Sequence, residues 1–142
     1  MQEFYKERWN LNAPLPTDAY WLKSKTFDLI NSRFLVDSID EQRWEPLIRE
    51  YRVLLKHQAW LQMVEVQWKF HSQSDHALPA LNVWSNAYYE ALRAMGKRPD
   101  VADSRLEQVV RFAGFQHTNA TKHHIPIGEW RAGTRLWPNS IS

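Results

Sequence analysis

Four glycines in 142 residues, at Gly96, Gly114, Gly128 and Gly133, set the first limit on this chain. Glycine takes positive φ at no steric cost, and phosphate-cradling turns use two or three of them in close order. Neither G-x-G-x-x-G nor G-x-x-x-x-G-K-[ST] is present. The familiar glycine-rich nucleotide loops are therefore excluded. Cysteine is absent, which removes disulfides, thiolate nucleophiles and Cys-based zinc sites. A net charge of +2, spread along the chain, is too mild to imply nucleic acid or an anionic membrane. No apolar run reaches the roughly 20 residues of a membrane span, and the N-terminal residues carry no signal-type apolar stretch. Eight tryptophans call for large, shaped apolar surfaces. The expectation is one intracellular domain, residues 1–142.

Apolar periodicity gives the element order. Residues 2–9 read as a short polar strand or a frayed end. Residues 10–26, with Pro14, Pro16 and several turn formers, read as a loop. Phe27-Asp28-Leu29-Ile30 reads as a buried strand. A helix begins near Trp44, with Pro46 in its first turn, and carries the stripe Leu47, Ile48, Tyr51, Leu54 and Leu55. Lys56-His57 lies near its C-terminus, and a four-residue loop follows. Residues 60–68 then read as a strand covered on both faces. After a loop over 70–78, Pro79 opens a second helix with the stripe Leu81, Trp84, Tyr88, Ala91, Leu92 and Met95, closed by Gly96. Asp100 or Asp103 caps a third helix bearing Leu106, Val109 and Val110, and Gly114 ends it. Residues 115–125 are a weak, polar strand candidate. The tail from Trp130 shows no period. Two buried strands joined through a helix predict a parallel βαβ unit, and the class is α/β.

Several segments are more specific. Phe27-Asp28-Leu29-Ile30-Asn31-Ser32-Arg33-Phe34-Leu35 is followed by Trp44-Glu45-Pro46-Leu47-Ile48-Arg49-Glu50-Tyr51 and Trp60-Leu61-Gln62-Met63-Val64-Glu65-Val66. Ala91-Leu92-Arg93-Ala94-Met95-Gly96-Lys97 and Pro126-Ile127-Gly128-Glu129-Trp130 complete the set. Together, from about Trp9 to Arg131, they resemble the fungal LaeA-like S-adenosylmethionine-dependent methyltransferases of the class I, Rossmann-like group. The resemblance implies methyl transfer from S-adenosylmethionine to a small-molecule nucleophile, and a role in fungal secondary metabolism. It implies cofactor contacts at Asn10 and Leu11, and at Asn31, Ser32 and Arg33.

The chain departs from that pattern in ways that matter. The family opens with a strand and a glycine-rich turn that lets the backbone approach the cofactor. Neither is present, and the following strand with its ribose-binding acid is also missing. Asn10 stands where the family has Asp. Lys56-His57-Gln58-Ala59-Trp60 replaces Lys-Pro-Gly-Gly-Trp, removing the glycines that permit positive φ. The family's sheet runs 3-2-1-4-5-7-6, and this chain holds strands four and five with candidates for three and six. Strand four then exposes an edge that lies mid-sheet in the family. The expectation is a partial methyltransferase sheet with flanking helices, truncated and inactive alone. The alternative is a non-catalytic interaction module that completes its sheet with a partner chain or a second copy. A remnant without function is the third reading.

Each candidate residue has two readings. Asn31, Ser32 and Arg33 face a ligand at the end of a strand, or form a helix-start turn. Glu65 and Gln67 orient a substrate, or are partly exposed structural residues. Trp84, Tyr88 and Tyr89 line an aromatic substrate pocket, or form a core stripe. The six histidines show no metal-ligand spacing, although His71 is placed to assist a substrate. The expected partners are a small-molecule substrate and a protein, with neither nucleic acid nor membrane, and no metal.

Overall fold

The computed structural model describes residues 6–16, 19–72, 77–103 and 105–127. Its centre is a βαβ unit. Strand β1 (Phe27–Arg33) leads through a short 3-10 turn (Glu41–Arg43) into helix α1 (Trp44–Leu54), which passes directly into strand β2 (Leu55–Val64). The two strands pair in parallel, from Leu29↔Trp60 to Arg33↔Val64. This is the predicted βαβ arrangement, with β1 running three residues beyond the apolar run that announced it.

Helix α1 forms as the sequence dictates. Pro46 sits in the first turn, where its missing N–H is not needed. Trp44, Leu47, Ile48, Tyr51 and Leu54 are all buried. They meet Val36, Ile39, Val101 and Ala113, and the inner face of the sheet adds Ile30, Leu61 and Met63. Trp44, Leu47 and Ile48 are almost wholly enclosed. Burial of such side chains stabilises by about 1.5–3 kcal/mol each.

The loop expected between α1 and β2 is absorbed into the strand. Phe27 pairs with Leu55 and Leu29 with Trp60, so four residues on β2 face one on β1. Lys56 and His57 therefore lie in an irregular strand start rather than at a helix end. Gln58 takes φ +63° there. That is the conformation the missing glycines would relax. The strand is also not covered on both faces. Its outer face stays open, with Trp60 72% and Leu29 53% exposed.

Helix α2 (Pro79–Ala94) closes as predicted. Gly96, at φ +74°, follows it, Lys97 N–H reaches Leu92 O and Gly96 N–H reaches Arg93 O. This is a Schellman end, in which glycine removes the cost of a left-handed residue. Its apolar stripe, however, does not form a core. Ser85 and Leu92 are the buried residues, while Leu81, Trp84, Ala91 and Met95 are exposed. The helix touches the second 3-10 turn (Pro99–Ala102) and the segment after β2.

Helix α3 (Leu106–Phe112) packs on α1 through Leu106, Val109 and Val110. Neither Asp100 nor Asp103 caps it, for its N-cap is Arg105 without a side-chain bond. Both carboxylates are drawn instead to cations. Gly114 ends it at φ +93°, where a Cβ would lie 2.9 Å from Arg52 Nη1. Residues 115–127 are not a strand. Phe115 packs against the core, while Ile125 and Ile127 are exposed. The described sheet thus has two strands, not four. Residues 6–9 have no regular structure, while the rest of the proposed first strand and the tail from Gly128 lie outside the described residues. Among the described residues no helix is long and apolar enough to cross a membrane.

Candidate functional site

Parallel strands end together, and the loops leaving them form the usual ligand crevice of α/β sheets. Here that end is built from the segment after β1 and the segment after β2. Phe34 leaves β1 at φ +56°, unusual for a bulky residue, with its ring exposed. Its N–H still bonds Val64 O at 2.9 Å. The turn directs the N–H groups of Leu35 and Val36 onto the Glu65 carboxylate, at 2.9 and 3.0 Å. Partial burial raises the Glu65 pKa, and these two donors oppose the rise. Glu65 therefore ties the two strand ends together, which is the structural one of its two readings.

Aromatic side chains stand beside this tie. Trp84 stacks on Tyr88 with ring centres 5.4 Å apart and planes 7° from parallel. Trp68 and Phe70 meet Trp84 edge-on at 6.0 and 5.9 Å. Tyr88 donates its hydroxyl to Asp37, in the loop after β1. Burial first, and the Asp37 carboxylate second, push the Tyr88 phenol well above the usual tyrosine range. Ser85, one helical turn before Tyr89, donates to Trp68 O at 2.5 Å and fixes α2 against this segment. Trp84 keeps 48% of its surface exposed, so the stripe that reads as core is a surface cluster.

A second cluster closes the far side. Asp103 accepts from Lys122 at 2.6 Å and Lys69 at 2.9 Å. These cations, Lys122 first, hold its carboxyl well below the usual range. His71 and His124 meet edge to face at 5.7 Å. Among the described residues no group of three or more His, Asp or Glu side chains is placed to hold a metal ion.

The five residues expected at a cofactor lie in two segments, Asn10 and Leu11 before β1 and Asn31, Ser32 and Arg33 within it. Asn31, Ser32 and Arg33 lie within β1, not in a helix-start turn. Asn31 donates to Gln62 at 2.5 Å, and Arg33 donates to Asn31 at 2.9 Å, both on the open face. Ser32 points the other way and is buried. Asn10 accepts from Asn12 N–H at 3.0 Å within its own turn. Leu11 packs on the core, and its carbonyl accepts from Arg43 at 2.8 Å. Asn10, Asn31 and Arg33 each make a hydrogen bond within the protein, Ser32 Oγ is buried without a hydrogen-bond partner among the described residues, and Gly96 and Gly114 sit at helix ends.

Sequence reasoning missed Asp37, Trp68, Phe70 and the Lys69–Asp103–Lys122 group. Only the aromatic density from Trp68 to Tyr89 was a visible signal. Asp37 and Asp103 belong to no spacing that marks them.

Comparison with known proteins gives a class. The chain is 29% identical over 119 residues to the methyltransferase pytC of Aspergillus terreus, across 82% of this chain and 36% of that protein. The methyltransferase pytC of Aspergillus terreus strain NIH 2624 / FGSC A1156 matches to the same extent. The similarity supports a methyltransferase-type family. The chain spans little more than a third of the length of these curated relatives. No family model matches the sequence, and no solved structure matches it.

Proposed function

We propose that this chain carries the acceptor side of a methyltransferase-type fold, and that it transfers no methyl group by itself. One observation carries the reading. The similarity to two methyltransferases runs over 119 residues at 29% identity, and the described residues gather rings and carboxylates at two strand ends. In this reading the donor is S-adenosylmethionine, which supplies an electrophilic methyl group when bound. The acceptor is a small molecule with a hydroxyl or amine. The chain's own residues hold and orient it, and positioning is the larger part of such catalysis. Asn10, Leu11, Asn31, Ser32 and Arg33 are the positions that would turn toward a donor held mainly by another element. A place in fungal secondary metabolism, in cytoplasm or nucleus, goes with the same reading. Titration of the 142-residue chain with S-adenosylmethionine, and a labelled methyl-transfer assay, are the tests. Neither binding nor transfer is expected, and labelled product from the pure chain would overturn the proposal.

A second reading has its own observation. Among the described residues β1 pairs only with β2, and the open face carries Leu29, Phe34 and Trp60. An unpaired strand edge beside exposed apolar side chains suits addition of a strand from a partner or a second copy. Sedimentation equilibrium tests self-association. A monomer at the highest attainable concentration counts against it.

A further inference from the structure

We propose that Trp84, flanked by Trp68 and Phe70, forms with Asp37 a shelf that binds a planar, hydroxyl-bearing aromatic molecule. This names an acceptor class for the site and rests on the reading above for what happens to the ring after it binds.

The protein supplies its own template. Tyr88 is a phenol laid 7° from parallel along Trp84, with its hydroxyl given to Asp37 Oδ1. That is the recognition geometry an exogenous phenol needs: a ring face on an indole and an O–H on a carboxylate. Capacity is left for it. Trp84 is 48% exposed, and Asp37 lies on the surface. Among the described residues no donor reaches Asp37 Oδ2, and a carboxylate accepts at both oxygens.

The surroundings favour this class over others. The neighbouring rings of Trp68 and Phe70 hold Trp84 edge-on, so the indole plane is fixed before a ligand arrives. Such preorganisation lowers the ordering cost of binding. Glu65 is already used by Leu35 and Val36 N–H groups, and Asp103 by Lys69 and Lys122. Among the described residues that leaves Asp37 as the acid at this end with an acceptor to offer. It is an acceptor only, so it selects a donor such as a phenol and repels a carboxylate. An aliphatic chain gains area on the shelf but not the stacking that aromatic pairs add.

The test uses 2-naphthol, 2-methoxynaphthalene and 2-naphthoate as probes on the 142-residue chain, without a methyl donor, by calorimetry. 2-Naphthol is expected to bind about tenfold more tightly than 2-methoxynaphthalene, the scale of one hydrogen bond to a charged acceptor. 2-Naphthoate is expected to be the weakest. Asp37→Ala should bring 2-naphthol and 2-methoxynaphthalene to the same affinity, and Trp84→Ala should weaken both at least fivefold. Circular dichroism shows whether each variant is folded, and the probe ranking on the unaltered chain needs no variant. Equal affinity for 2-naphthol and 2-methoxynaphthalene, or no binding of either, overturns the proposal. Absence of this ranking in a chain that neither binds S-adenosylmethionine nor transfers a methyl group sinks the shelf and leaves the reading above standing. The ranking together with labelled methyl transfer by the pure chain keeps the shelf and overturns the reading above.

Discussion

Arg43 and Glu50 meet through two parallel hydrogen bonds, Nη1 to Oε1 at 2.9 Å and Nη2 to Oε2 at 2.6 Å. Arg43 is buried and gives two further donors to Leu11 O and Ala13 O, at 2.8 Å each. Glu50 Oε2 also accepts from Leu15 N–H at 3.0 Å. One ion pair between the 3-10 turn and helix α1 thus holds the chain at Leu11, Ala13 and Leu15. Breaking a buried pair leaves an uncompensated charge, whereas replacing both partners does not. Glu50→Ala is expected to cost about 3 kcal/mol in urea unfolding. Arg43→Met with Glu50→Leu should recover most of that loss. A Glu50→Ala variant as stable as the parent would refute the clasp.

Gln58 offers the opposite change. At φ +63° it pays the steric cost that glycine avoids. Its side chain is exposed, so little packing is lost. Gln58→Gly should stabilise the chain by about 1 kcal/mol, read as a higher urea midpoint at unchanged slope.

The carboxyl group of Asp103 ties residue 122 to residue 69. Its pKa is lowered by both lysines, Lys122 first. A depressed acid contributes stability above its unfolded pKa, near 4, and loses it as pH falls through the folded value. Asp103→Asn should remove that acid-side dependence at any pH. It should also speed tryptic cleavage after Lys122 at neutral pH. Cleavage at the parent's rate would show that the ion pairs do not hold this segment.

Tyr51, Tyr88 and Tyr89 all have raised phenol pKa values, chiefly through burial. For a group whose folded pKa lies above the unfolded one, stability is intact below about pH 10 and declines as pH rises beyond it. Melting temperature should be level from pH 8 to 9.5 and fall above pH 10. Tyr88→Phe should make that fall shallower.

Helix α1 was legible because its signal is local: a proline at the first turn and a stripe of period 3.6 that found a sheet to cover. β1 and β2 were legible as apolar runs, and their parallel pairing followed from the helix between them. What the pattern cannot report is whether an apolar face has a partner. The stripe through Trp84, Ala91 and Met95 has the same period as that of α1, yet it stays on the surface. Leu29 and Trp60 look like core in sequence and stand on an open face. The strand proposed at 115–125 failed for a related reason, since a weak strand needs a neighbouring edge. Asn31 and Arg33 were placed near the right end of β1, but their hydrogen bonds to Gln62 and to each other were not foreseeable, because they depend on register. Asp37 became visible only when α2 brought Tyr88 to it.

Every ladder pair from Leu29↔Trp60 to Arg33↔Val64 joins residues 31 positions apart. In kinetic terms the first bond of the ladder must close a loop of that length. Helix α1 occupies 11 of those residues and runs into β2 without a joint. A helix forms in about a microsecond or less, whereas even a β-hairpin takes about 1–10 microseconds to pair its strands. Once formed, it draws the loop ends together and carries β2 along in one piece. The direct passage from Leu54 to Leu55 therefore sets an order of events: helix first, then strand closure, with little room for the sheet to form ahead of it.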